Sequence, residues 1–347
     1  MKIIFAGGGT AGHILPATVI ADEVRSKNLD ILFIVSNKGI ERRLLEKKNY
    51  AYYEQKMKAF KGQNIIVKIL SIILLIREFF KILFIVNRRD KVFILGGYAS
   101  IATGVSAVIK RAEIYIHEQN SVMGLANRLL SPFAKKVLLS FKHTLSANGN
   151  LRVVGYPVRR EFLSIAIKES LSKNILVIGG SQGSLFINNL ISSSAYILLE
   201  RGFKIVQQAG EKLFKRTVDI YKEQGLYSSS ALNIYSFIDD IVGFYEWADI
   251  VISRAGAGSV FESLYAKRPT IFIPLVNSAD NHQKINAEFA REQGFGVVLE
   301  EKNANVENLL KLIDNIYRNY TGQIVNKLKK LNYMDSTKRI IEEVNID

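Results

Sequence analysis

The chain has no cysteine. Disulfides, thiolate chemistry and cysteine-ligated metal are therefore excluded, and a reducing compartment fits. No cleavable signal sequence fits the start, because Met1-Lys2 enters a short apolar run and then a glycine loop. A cytosolic location is the expectation. No low-complexity segment occurs. Zinc-finger, RNP-aromatic and basic-zipper patterns are also missing, so nucleic acid gains no specific support.

What is present describes a globular protein. The 347 residues are 48% hydrophobic and 23% charged, enough chain for about two domains. A net charge of +15 favours polyanionic partners such as an anionic membrane face or a phosphorylated substrate. Solvated surface lysines explain the same charge equally well.

Apolar runs alternate with helix-length segments. Strands are predicted at 2–6, 31–36, 92–95, 114–117, 135–139 and 152–154. A second series is predicted at 174–179, 203–207, 232–235, 250–253, 270–273 and 296–299. Continuous apolar strands separated by helices indicate parallel sheets buried on both faces. The fold class is α/β, with two Rossmann-like, doubly wound domains. The joint is expected near Gly155-Tyr156-Pro157-Val158-Arg159. The expected domains are 1–158 and 159–334, with a C-terminal helix at 335–347 packing back on the first. Ligands of such sheets bind beyond the carboxyl ends of the strands. A cleft between the two domains is the expected site.

Three strand-to-glycine turns recur: FAGGGTAGH, FILGGYAS and LVIGGSQG. The first, with Gly7, Gly9 and Gly12, satisfies the dinucleotide fingerprint by letter. A dinucleotide also demands an acid at the end of the second strand, for the ribose diol. That strand ends in Ser36-Asn37, so the acid is missing and NAD is disfavoured. The loop still offers backbone N–H donors to another phosphate. His13 follows it in the first helical turn. It suits proton transfer near neutral pH, against the plainer role of a packing histidine.

The second half carries the stronger nucleotide signal. Ser181 adds a hydroxyl to the GGSQG turn. The small, flexible segment 255–259 precedes a helix, and Glu262 lies a turn inside it. A carboxylate there can accept two ribose hydroxyls, although a first-turn glutamate also complements a helix dipole. Asp280, Asn281, His282 and Gln283 form a polar cluster suited to sugar hydroxyls. In Phe237-Ile238-Asp239-Asp240, backbone groups of Ile238 can read a base edge while one aspartate caps a helix.

Together these segments resemble the MurG family, the UDP-N-acetylglucosamine:lipid I N-acetylglucosaminyltransferases of peptidoglycan synthesis. The matching stretches are GGTAGH (8–13), GGYAS (96–100), HEQN (117–120), GYPVR (155–159), GGSQG (179–183), FIDD (237–240), SRAGAGSVFE (253–262) and DNHQ (280–283). The resemblance spans nearly the whole chain, in order. One departure is Thr10-Ala11-Gly12, where the family usually carries Gly-Gly.

The resemblance implies a GT-B fold and an inverting transferase that uses no metal and no cofactor. It implies UDP-GlcNAc in the C-terminal domain and lipid I at the N-terminal one. Carried over, Thr10, Ala11 and Gly12 face the donor diphosphate or GlcNAc, and Asn120 contacts the sugar. Arg159 and Ser181 line the nucleotide-sugar pocket, and Ile238 touches uracil through its backbone. Ala257, Gly258, Ser259, Val260, Phe261 and Glu262 wrap the diphosphate and ribose, and Gln283 holds GlcNAc hydroxyls. His13 is the first candidate for the general base and Glu118 the second. The sequence contains no Asp-x-Asp, which agrees with a leaving group stabilised by helix N-termini.

The most apolar segment is Ile65–Val86, IIVKILSIILLIREFFKILFIV. Lys68, Arg77, Glu78 and Lys81 interrupt it, and each central charge costs up to about 3 kcal/mol in a membrane span. A crossover helix fits better, packed on the sheet by one face. Its surplus apolar surface, with Lys68, Lys81, Arg88, Arg89 and Lys91 nearby, suits an anionic headgroup region. The expected location is peripheral, on the cytoplasmic face of the bacterial cell membrane. Another GT-B enzyme, such as a UDP-GlcNAc 2-epimerase or a small-molecule glycosyltransferase, is the alternative. A non-catalytic nucleotide-sugar binding protein is the third class.

Overall fold

The computed structural model describes residues 1–8, 11–37, 39–56, 65–180, 182–276, 278–331 and 335–346. The chain forms two compact units, Met1–Val158 with Met334–Asp347, and Arg159–Tyr333.

In the first unit the order is β1 (Lys2–Gly7), α1 (Ala11–Arg25), β2 (Asp30–Ser36), α2 (Gly39–Lys47), β3 (Ala51–Gln55), α3 (Ile65–Ile85), β4 (Lys91–Gly96), α4 (Ala99–Lys110), β5 (Glu113–Glu118), α5 (Leu125–Leu130), β6 (Lys136–Leu139) and β7 (Leu151–Val153). The second unit runs α6 (Glu161–Ser164), β8 (Asn174–Ile178), α7 (Leu185–Glu200), β9 (Lys204–Gln208), α8 (Phe214–Glu223), β10 (Leu232–Tyr235), α9 (Ile241–Trp247), β11 (Ile250–Ser253), α10 (Ala257–Tyr265), β12 (Thr270–Phe272), α11 (His282–Glu292), β13 (Gly296–Val298), α12 (Val306–Asn319) and α13 (Val325–Lys330). Helix α14 (Ser336–Val344) returns to the first unit.

Both sheets are parallel throughout. The first has the strand order β3-β2-β1-β4-β5-β6-β7, the second β10-β9-β8-β11-β12-β13. The winding reverses between β1 and β4 in one, and between β8 and β11 in the other. Such reversal points leave a crevice beyond the strand ends, where α/β sheets bind ligands. Within each sheet the successive strands are reached by crossover connections, since parallel neighbours cannot be joined by a tight turn.

Strand β3 is absent from the twelve strands read from the sequence. Its residues AYYEQ sit at the sheet edge and are mostly part-exposed, so no continuous apolar run marks them. The remaining strands begin or end within a residue or two of expectation.

A row of rings crosses the first sheet. Phe5 stacks on Phe33 at 5.1 Å and on Phe93 at 4.9 Å, and Phe93 on Tyr115 at 5.7 Å. Register explains the row, because Phe5 faces Phe33 and Phe93, and Phe93 faces Tyr115. Ile340, Ile341 and Val344 of α14 join the same buried cluster. Lysines finish the docking of α14. Lys27 Nζ donates to Ile346 O at 2.6 Å, Lys91 Nζ to Val344 O at 2.6 Å, and Lys136 Nζ to Glu343 O at 2.7 Å. Cations at a helix C-terminus satisfy its last carbonyls and complement its dipole.

Helix α3 packs one face inward, with Ile82, and Val86 just past the helix end, buried in the core on the other side of the sheet. Glu78, also buried, accepts from Tyr53 Oη at 2.7 Å. Leu70, Ile73, Ile76, Phe80 and Phe84 stay exposed along the helix. No helix among the described residues is long and apolar enough to cross a membrane.

Candidate active site

In the first unit the reversal point gathers the ends of β1, β4 and β5. Gly97 has φ +78°, and a Cβ there would stand 2.4 Å from Gly8 O. Only glycine lets these two loops approach so closely. Ala11 opens α1, and helical dihedrals suit alanine, which answers the departure from Gly-Gly. Gly12 follows it, exposed. Thr10 lies outside the described residues.

His13 is half-buried in the first turn of α1. Its Nδ1 is 3.0 Å from Gln119 Oε1. The carboxamide of Gln119 has a dictated orientation, because Nε2 donates to the His117 carbonyl at 3.0 Å, and a carbonyl only accepts. Oε1 therefore faces His13 and can only accept. The Nδ1 of His13 must carry the proton, and Nε2 keeps the lone pair. His117 completes the chain: Nε2 lies 3.4 Å from Gly155 O and 3.2 Å from Ser140 Oγ, and Nδ1 3.3 Å from Gln119 Nε2. Burial pushes the His117 imidazole down to about 4, against the pull of the Gly155 carbonyl, so it is neutral near pH 7.

Glu118 is employed differently. It accepts from Asn120 N at 3.0 Å, Gly124 N at 3.0 Å and Asn127 Nδ2 at 2.8 Å, and is only 2% exposed. Its carboxylate holds the loop that carries Asn120. Asn127 Oδ1 is buried with no hydrogen-bond partner among the described atoms. Gln119 was read only as part of HEQN, without a role, and Asn127 escaped the sequence reading, since their value depends on neighbours that the fold supplies.

In the second unit the β8 turn, Gly179–Ser184, enters α7, where Ser184 accepts from Ile187 N at 3.3 Å. A Cβ on Gly183 would stand 2.1 Å from Ala209 O, so this turn packs directly on the next strand-end loop. Ser181 lies outside the described residues.

Beyond β11, helix α10 starts at Ala257. Its first intrahelical bond shown runs from Val260 N to Gly256 O at 3.0 Å, so the N–H groups of Ala257, Gly258 and Ser259 precede it. These donors and the helix dipole suit an anion. Val260 and Phe261 bury their side chains in the core, and Phe261 packs on Phe289 at 5.9 Å. Any contact they make with a ligand is through the backbone. Glu262 stands in the second turn. Desolvation pushes its carboxyl up to about 7, while the Arg159 guanidinium and a hydrogen bond with Tyr245 pull downward. Burial raises the Tyr245 phenol well above its ordinary range.

Arg159 also donates to Asp239 O at 3.1 Å, which brings the FIDD loop beside Glu262. In that loop Asp240 is the aspartate that caps α9, accepting from Gly243 N at 3.3 Å. Ile238 is buried, and its N–H donates to Gln208 Oε1 at 2.9 Å. Of its two backbone groups, the N–H is thus committed. Asp280 and Asn281 take left-handed φ of +51° and +54°, which short polar side chains tolerate. Gln283 Oε1 accepts from Leu275 N at 3.0 Å, so its amide nitrogen is the end available to a ligand. Among the described residues no group of histidines and carboxylates could hold a metal ion.

Known proteins resemble this chain in sequence and fold. Residues 3–139 match the glycosyltransferase family 28 N-terminal domain, and residues 174–343 the family 28 C-terminal domain. The chain is 31% identical to the UDP-N-acetylglucosamine--N-acetylmuramyl-(pentapeptide) pyrophosphoryl-undecaprenol N-acetylglucosamine transferase of Sulfurihydrogenibium sp. (strain YO3AOP1), across 99% of this chain and 97% of that one. The crystal structure of Acinetobacter baumannii MurG aligns with a TM-score of 0.75 and 25% identity, covering 99% of both chains. The UDP-GlcNAc 2-epimerase of Methanocaldococcus jannaschii shares the fold, with a TM-score of 0.63 and 15% identity over 100% of each chain. The chain has the GT-B fold and belongs to the MurG family of glycosyltransferases within family 28.

Proposed function

We propose that the protein transfers GlcNAc from UDP-GlcNAc to the 4-hydroxyl of the MurNAc residue in lipid I, with inversion, forming lipid II for the cell wall. The observation that carries this reading is the group at the second reversal point. The α10 N-terminus, the half-buried Glu262 and Arg159 stand together there, a helix end suited to phosphate and a carboxylate suited to a ribose diol in one place.

The donor residues are Thr10, Ala11, Gly12, Asn120, Arg159, Ser181, Ile238, Ala257 to Glu262, and Gln283. Glu262 accepts the ribose hydroxyls. The first-turn N–H groups of α10 take the charge that develops on the departing UDP diphosphate, as fixed dipoles need no reorganisation. His13 Nε2 removes the proton from the attacking hydroxyl as the oxygen closes on the anomeric carbon and the bond to UDP breaks. Gln119 supports this assignment by committing the proton to Nδ1. Glu118 is the weaker candidate, since its carboxylate already accepts three hydrogen bonds.

The acceptor is a lipid, and the exposed face of α3 supports docking at a membrane surface. Val105 and Ile109 of α4 and Leu125 and Leu129 of α5 are exposed apolar residues of the same unit. Arg88 and Arg89 supply positive charge for anionic headgroups on the cytoplasmic side. Lys91 is not among these, because its Nζ is spent on the carbonyls of Val344 and Asn345.

Incubation with labelled UDP-GlcNAc and a lipid I analogue tests the reading. UDP release that requires the analogue, with GlcNAc in the lipid product, is expected. UDP release or epimerised sugar without any acceptor would overturn it in favour of an epimerase.

A further inference from the structure

The partners of His117 assign every proton around it. Gln119 Nε2 can only donate, and its two hydrogens go to the His117 carbonyl at 3.0 Å and to His117 Nδ1 at 3.3 Å. That ring nitrogen accepts, so the hydrogen of the neutral imidazole sits on Nε2. There it meets the Gly155 carbonyl at 3.4 Å and the Ser140 hydroxyl at 3.2 Å. At the other end His13 Nδ1 donates to Gln119 Oε1 at 3.0 Å. The bonds all run one way, from His13 through Gln119 and His117 to Gly155.

The far end of this chain is tied to the sheet. Gly155 takes φ +82°, a conformation that favours glycine. Its N–H donates to Leu139 O at 3.2 Å, and Val154 N donates to the same carbonyl at 2.9 Å, which fixes the peptide to the end of β6. His117 lies on the neighbouring strand, in register with Leu138, and its ring packs 6.4 Å from that of Tyr156. His117 and Gln119 are 0% and 2% exposed, whereas His13 is half-buried.

We infer that His117 is a positioning residue for the general base: its ring carries the fixed point at Gly155 through Gln119 to His13. The inference rests on the reading of His13 as the base. Hydrogen bonds that run in one direction polarise one another, so a break at His117 also weakens the bond that orients His13. A buried histidine that only filled the core would matter to folding and not to what His13 does.

The test is a double-mutant comparison in the full-length protein. Glutamine places its amide where Nε2 of histidine stands, and asparagine where Nδ1 stands. His117→Gln therefore keeps a donor for Gly155 O and loses the acceptor for Gln119, and His117→Asn does the reverse. Each should lower kcat about threefold to tenfold, the worth of one hydrogen bond, with UDP affinity by calorimetry nearly unchanged. Built into His13→Ala, neither change should lower the residual kcat further, because the group it acts through is gone. An equal loss in both backgrounds overturns the inference and leaves His117 a purely structural residue. A normal kcat in either single variant overturns it as well. If one of the two variants does not fold, the other decides by the same comparison. Wild-type turnover in His13→Ala alone overturns the reading of His13 as the base, and this inference with it.

Discussion

His13 Nδ1 lies 3.0 Å from Gln119 Oε1, an atom that can only accept. The imidazole is thereby held in the tautomer whose Nε2 can take a proton. Loss of a general base costs roughly 10²–10⁴ in rate, so His13→Ala should lower kcat by that factor and leave UDP-GlcNAc affinity nearly intact. Near-normal turnover would remove His13 from the mechanism. Gln119→Glu gives a finer test. A carboxylate beside Nδ1 favours the imidazolium, so the acid limb of the kcat/KM profile should move to higher pH. A limb that stays in place would mean that Gln119 does not act through His13.

In the proposed ribose role, Glu262 should make donor binding depend on pH. Its carboxyl is raised from 4.5 to about 7 by desolvation. In that role the ionised form would accept both ribose hydroxyls, and protonation would remove one acceptor. UDP affinity should therefore fall as pH drops from about 8 to about 6, and Glu262→Gln should be weak at every pH. Arg159→Ala removes the cation that opposes the shift, so the fall should begin at higher pH. The stability effect has the opposite sign. A group raised in the folded state binds its proton more tightly there, so its contribution is full below pH 4.5 and is lost as pH rises through about 7. In urea denaturation at pH 8, Glu262→Gln should be at least as stable as the wild type. A pH-independent UDP affinity would sink the ribose role.

The parallel strands were legible in the sequence because burial on both faces leaves continuous apolar runs. The glycine turns and Glu262 were legible because their chemistry is local. Gln119 and Gln208 were not. Gln208 makes its bonds to Gly180 and Ile238, which are 28 and 30 residues away in the chain. The strand order sets those neighbours, and a linear pattern of strands does not contain it. The same holds for β3, whose part-exposed residues copy a loop in composition. For Ile238 the sequence suggested a backbone that reads a base, and the packing around Gln208 specifies which of its two groups is committed.

Helix α14 closes the core of the first unit although it follows the second in the chain. Ile340 and Val344 are fully buried in the cluster with Phe5, Phe93 and Tyr115. Ile340→Ala should cost about 2–5 kcal/mol, the range for truncating a buried isoleucine. Chemical denaturation followed by tyrosine fluorescence measures it. A loss under about 0.5 kcal/mol, the level of ordinary surface substitutions, would show that α14 is not part of this core.

The outer face of α3 gives the last test. Phe80 is 55% exposed and Phe84 83% exposed, so neither carries much of the folding core. Changing both to serine should leave thermal stability nearly unchanged. It should lower partitioning onto vesicles, since each large apolar side chain moved from water to an apolar phase returns about 1.5–3 kcal/mol at full burial. Partial insertion at the headgroup boundary realises less, and about a tenfold weakening for the pair is expected. Binding of the unaltered protein should rise with the fraction of anionic lipid and fall with added salt, because Arg88 and Arg89 act through screened charge. Turnover on a water-soluble acceptor analogue should be the same with and without the two phenylalanines, while turnover on lipid I in vesicles should drop. Equal vesicle binding by the double variant and the wild type would remove this face from the membrane reading.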